Sequence, residues 1–115
     1  MRIVDSGNRI SIDELNDMAK AMFGDLVKAV VDIKLKIMAV DAELHADEEA
    51  LLIEKGSDQS HLWGINLYPE LADPDFIEYD SMINLRPSQG NRSRGVDNPE
   101  IRESISKVVM DLVAR

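Results

Sequence analysis

The run Leu62-Trp-Gly-Ile-Asn-Leu-Tyr68 constrains this chain more than any other segment, because it alternates at the period of a strand. Successive strand side chains point to opposite sides of a sheet. Trp63, Ile65 and Leu67 therefore share an apolar side, and Gly64, Asn66 and Tyr68 share the other. A hairpin is expected upstream, from Val27 to Ile33, through a short turn at Lys34 to Lys36, and on from Ile37 to about Leu44. Its turn has neither Asn-Gly nor Asp-Gly, the usual two-residue hairpin chemistry. Met38, Val40, Ala42 and Leu44 fall opposite Asp41 and Glu43. A long fourth strand is expected from Phe76 to Arg86, with Ile77, Tyr79, Ile83 and Leu85 facing away from Glu78, Asp80, Met82, Asn84 and Arg86.

Helical spacing surrounds these strands. Ser11 and Glu14 form a capping box, with Ile10 and Leu15 placed as a hydrophobic staple. Leu15, Met18, Ala19, Met22 and Phe23 continue the stripe up to Gly24. Asp47 reads as the cap of a short helix, Glu48 to Lys55, and Asn98 as the cap of a last helix with Pro99 in its first turn. The order α-β-β-α-β-β-α predicts an α+β fold: a four-stranded, mainly antiparallel sheet with helices packed on one face. At 115 residues and 44% apolar composition, residues 1–115 fit one domain with a real core. The chain has no cysteine, which excludes disulfides and cysteine-ligated zinc. It shows no signal-like or membrane-spanning apolar run, so a cytoplasmic location is expected.

Charge is unevenly distributed. Residues 1–85 carry a net charge of −11 and residues 86–115 a net charge of +2, within a total of −9. Such a field disfavours nucleic acid and anionic membrane, both of which require many neutralised phosphates or headgroups. The exception is the segment R-P-S-Q-G-N-R-S-R-G, residues 86–95, which contains no acid. Arginine can grip a carboxylate or phosphate with two parallel hydrogen bonds, and a helix start nearby adds free N–H groups. Asn84, Arg86, Gly90, Asn91, Arg92 and Arg94 are accordingly the candidate ligand-binding residues, and a compact anion is the candidate ligand. The competing explanation is a solvated loop whose arginines pair with the chain's own carboxylates, or one that docks a second subunit in a homodimer.

The candidate catalytic groups are His45 and Asp80, with His45 as general base and Asp80 as its orienting carboxylate. If the second strand ran on, Glu43, His45 and Asp47 would share a face and could hold a divalent ion. A capping Asp47 and an ordinary exposed histidine explain the same residues, and no metal is assigned. Trp63 fits core packing better than stacking on a ligand. The residues name no cofactor.

The segments E43-L-H-A-D47, L62-W-G-I-N-L-Y-P69 and D80-S-M-I-N-L-R-P-S-Q-G-N-R-S-R-G95 together resemble a family of small prokaryotic proteins known only as a domain of unknown function. The resemblance runs from about Val27 to Val109 and implies no activity, cofactor or catalytic residue. The functional expectation therefore rests on the residues: a small protein binding a phosphate- or carboxylate-bearing ligand at residues 86–95, with hydrolase or transferase chemistry if His45 and Asp80 reach it. The alternative is a non-catalytic interaction or dimerisation module using the same loop.

Overall fold

The computed structural model describes all residues, Met1–Arg115. Its centre is a five-stranded antiparallel sheet in the order β1-β4-β3-β5-β6. The strands are β1 (Arg2–Val4), β3 (Val27–Asp32), β4 (Ile37–Val40), β5 (Leu62–Leu67) and β6 (Ile77–Glu78). A separate parallel pair joins β2 (Ile10–Ser11) to β7 (Val113–Ala114). The helices are α1 (Ile12–Ala21), α2 (His45–Glu54) and α3 (Pro99–Leu112). No helix is long and apolar enough to cross a membrane.

The α+β class stands, but the sheet has five strands rather than four and helices cover both of its faces. On the first face Val27, Ala29, Val31, Met38, Val40, Trp63, Ile65 and Leu67 pack against Leu15 and Ala19 of α1 and Ile105, Val109 and Leu112 of α3. The alternation expected for β5 places Trp63 in this core. On the opposite face Val30, Ala39 and Leu62 form a smaller cluster with Leu52 of α2. The inward stripe of α2 comprises His45, Glu48 and Leu52, so two of its three buried positions are polar and its amphipathic signal is weak.

Local chemistry explains the boundaries. Ser11 and Glu14 close the capping box of α1. The β3–β4 turn needs no Asn-Gly pair, because Asp32 Oδ1 accepts the N–H groups of Lys34 and Leu35, both at 2.9 Å. Its Oδ2 accepts the Ser57 hydroxyl at 2.7 Å, so this fully buried carboxylate is satisfied. Asp41, at φ 72°, turns the chain from β4 toward α2. The helix then begins at His45, two residues before Asp47, and Asp47 is not its cap. The N-cap is Leu44, which has no side-chain oxygen to offer.

The expected strand from Phe76 to Arg86 is only two residues long. After β6 the chain leaves the sheet, because Ser81 caps a 3-10 turn at Met82–Asn84 through a hydrogen bond to Ile83 N–H. Asn84 then does with its side chain what a strand does with its backbone. Its Oδ1 accepts Gly64 N–H at 2.8 Å and its Nδ2 donates to Gly64 C=O at 2.9 Å. A Cβ on Gly64 would meet the Ser81 side chain at 2.5 Å, so glycine is required for this close approach.

Candidate functional site

Residues 84–97 form a loop whose polar groups mostly satisfy one another. Asn91 is buried at its centre: Nδ2 reaches the carbonyls of Asn84 (2.7 Å), Gly95 (2.9 Å) and Ser93 (3.1 Å), and Oδ1 accepts Asp97 N–H at 2.8 Å. Arg86 donates Nε to Ile83 C=O at 2.9 Å, Nη1 to Gln59 C=O at 3.0 Å and Nη2 to Leu62 C=O. Its guanidinium also lies 4.9 Å from the Trp63 ring centroid and 3.5 Å from the Glu49 carboxylate. Burial lowers the Arg86 pKa and Glu49 opposes that effect. Asp97 accepts Arg92 N–H and the Ser93 hydroxyl, which hold its pKa below the usual carboxylate range. Gly90 takes the left-handed φ of 82° that closes the Pro87–Gln89 turn.

The helix that follows this loop is also closed. Asn98 accepts Glu100 N–H at 2.8 Å, capping α3. Of the candidate loop residues, Asn84, Arg86 and Asn91 have their side chains engaged with backbone. Arg92 and Arg94 keep exposed side chains.

A second region gathers several groups that have no such partners. A cavity of about 380 Å³ opens on the α2 face of the sheet, over Lys28 of β3, Asn66 of β5 and Glu78 of β6. These three side chains form one row, since Lys28 pairs with Asn66 and Asn66 with Glu78 across the strands. His45, Asp80 and Arg94 also line the cavity, below a rim that includes Phe23, Leu44 and Met82. The structure thus brings His45, Asp80 and Arg94 together. It leaves Arg86, Gly90, Asn91, Arg92 and the buried Asn84 out of the cavity wall.

His45 is the first residue of α2 and is buried against β5. Its Nε2 donates to Ile65 C=O at 2.8 Å, so Nε2 carries the ring proton and Nδ1 is left as a lone pair in the neutral form. Burial pushes its pKa below the ordinary histidine value, with the cations Lys28 and Arg94 acting in the same direction. The carbonyl of Ile65, rather than Asp80, orients the ring. Asp80 instead accepts Arg94 Nε at 2.7 Å, and neither Nη group of Arg94 has a protein partner. Lys28 forms no ion pair; its Nζ sits 5.0 Å from the Phe23 ring centroid.

Further groups in this region are unmatched. Asn66 donates Nδ2 to Glu78 Oε1 at 2.8 Å, and its buried Oδ1 accepts nothing. The start of α2 has no side-chain cap, and the backbone N–H groups of His45 and Ala46 have no acceptor. One turn further along, Glu48 is fully buried with only Ala42 N–H on Oε2, and Oε1 unpartnered. Burial pushes its pKa up to about 9, so it is a neutral acid at pH 7. Because the helix starts at His45, Glu43 and Asp47 do not share a strand face with it, and no group of three His, Asp or Glu side chains is placed to hold a metal ion.

Lys28 and Asn66 were not among the candidate residues. Asn66 was visible on the polar side of β5, but Lys28 reads as an ordinary charged residue within an apolar strand. The open start of α2 was hidden by Asp47, whose residue type suits a cap that the chain does not use. No curated protein and no solved structure matches this chain. A family model described as "Protein of unknown function (DUF5674)" matches residues 3–112, and the chain belongs to that family.

Proposed function

We propose that this protein binds a compact anionic molecule, bearing a carboxylate or phosphate, in the cavity beside His45. The observation that carries this reading is the set of unmatched donors in one concave site: Lys28 Nζ, the Nη groups of Arg94, and the N–H groups of His45 and Ala46. Each favours negative charge, and the low dielectric of a partly enclosed site strengthens the attraction. The loop at residues 84–97 supports the site from outside, since it presents Arg94 to Asp80 and fixes the turn at Met82–Asn84. In the catalytic form of this reading, a hydrolytic or transfer reaction, His45 Nδ1 removes a proton from water or from a substrate hydroxyl. Asp80 holds Arg94 in place.

Thermal-shift measurements with inorganic phosphate and with simple carboxylates test the reading, because a ligand that binds only the native state raises the unfolding midpoint. A rise that disappears in Lys28→Ala/Arg94→Ala is the expected result. No rise with any anion would overturn it. The exposed Arg92 favours a second reading, a protein-docking or homodimer contact at the loop tip. Light scattering of Arg92→Glu against the wild type separates the two, since only the interface reading predicts a change in mass.

A further inference from the structure

Resting on the anion reading above, the chemistry of the cavity narrows the ligand further. The site is polarised along its cross-strand row. At one end lies Lys28, a donor only, and the unpaired N–H groups of His45 and Ala46 join it in the cavity wall. At the other lies Glu78, whose carboxylate accepts from Asn66 Nδ2 and Tyr68 Oη through Oε1 alone. Asp80 is nearby but already neutralised by Arg94. Between the two ends stands Asn66, 7% exposed, whose amide orientation is fixed by Glu78 so that Oδ1 lacks a donor. A buried acceptor with no donor is costly unless something supplies one.

An anion alone does not complete this site. Phosphate or a plain carboxylate would satisfy Lys28 and the N–H groups of α2 while leaving Asn66 Oδ1 unpaired and Glu78 uncompensated. A ligand that also carries an ammonium group would meet both. Lys28, Asn66 and Glu78 are direct cross-strand neighbours on strands about 4.8 Å apart, so a compact ligand can span the row. The apolar rim at Phe23, Leu26 and Met82 would accept a hydrocarbon substituent. We infer that the cavity recognises a compact zwitterion of the α-amino-acid class, with its carboxylate at Lys28 and the start of α2 and its ammonium toward Asn66 and Glu78.

Isothermal titration calorimetry on the full chain tests this with L-leucine, L-methionine and L-serine, each against the acid lacking its amino group, and with inorganic phosphate. At least one amino acid is expected to bind tenfold or more tightly than its desamino acid. Glu78→Gln keeps the oxygen that accepts Asn66 Nδ2 and removes only the charge, so it should weaken amino-acid binding toward that of the desamino acids while leaving the desamino acids unchanged or tighter. If the desamino acids and phosphate bind as well as the amino acids, the zwitterion inference falls and the anion site survives. If neither amino acids nor simple anions bind, both fall. Circular dichroism of Glu78→Gln and Lys28→Ala confirms that folded protein is being compared.

Discussion

The loop at residues 84–97 and the cavity beside His45 are neighbours built from similar residues, and they use them in opposite ways. In the loop, Asn84, Arg86 and Asn91 direct their side chains at carbonyl groups of the same chain, and Asn98 closes the helix that follows. In the cavity, Lys28, the Nη groups of Arg94, the first N–H groups of α2 and Asn66 Oδ1 have no such partners. A density of polar residues measures the hydrogen-bonding demand of a segment. Availability to a ligand is what remains after the local backbone has been satisfied.

The strongest way to break this contrast is Asn84→Ala. It removes both partners of Gly64, and leaving those buried groups unpaired should cost about 3–5 kcal/mol in urea unfolding. A loss below ~1 kcal/mol would mean that the loop is not bracing the sheet. Glu48→Gln probes the unmatched side with the opposite sign. The folded pKa of Glu48, raised to about 9, lies well above its unfolded value. The wild type therefore loses stability as pH rises above about 4.5, while the folded state retains a proton that the unfolded state has released. Removing that penalty should raise stability by about 2 kcal/mol or more at pH 8 and by almost nothing at pH 4. Equal effects at the two pH values would show that Glu48 is ionised in the folded protein.

Gly64→Ala acts by overpacking instead: the new methyl meets Ser81 Cβ, which cannot rotate away, so the backbone of one segment must shift at a cost of roughly 1–3 kcal/mol. A neutral result would remove the reason for glycine at that position. Smallest of all is Arg94→Ala, whose half-exposed pair with Asp80 contributes less than ~1 kcal/mol to folding. The same variant should abolish most of any anion-induced rise in the unfolding midpoint. An Arg94→Ala protein that unfolds early would place Arg94 with the bracing residues instead.

Much of the frame was legible. Strand parity assigned Trp63, Ile65 and Leu67 to one core, and the Ser11–Glu14 box marked the start of α1, because both signals are local. The length of β6 was not legible. Ile83 and Leu85 keep the strand period in the sequence, yet Ser81 and Asn84 redirect the backbone through side-chain hydrogen bonds that alternation cannot register. Helix α2 was misplaced at its start by three residues, at Glu48 instead of His45, for a related reason. Its inward face carries His45 and Glu48 where a stripe of apolar residues would have announced it. The site was partly visible, through His45, Asp80 and Arg94, whereas Lys28 and Asn66 acquire meaning only once β3, β5 and β6 lie side by side.

The Asn84–Gly64 contact has a consequence outside the folded monomer. β6 pairs only with Asn66 and Leu67, so the outer margin of β5 from Leu62 to Gly64 would otherwise present free backbone groups beside an apolar core. Such margins recruit strands from other molecules. Asn84 occupies both groups of Gly64, and Arg86 takes the carbonyl of Leu62. An amide and a guanidinium thus seal a sheet margin that no strand covers. Their loss should appear first as self-association in concentrated solution, before the fold itself gives way.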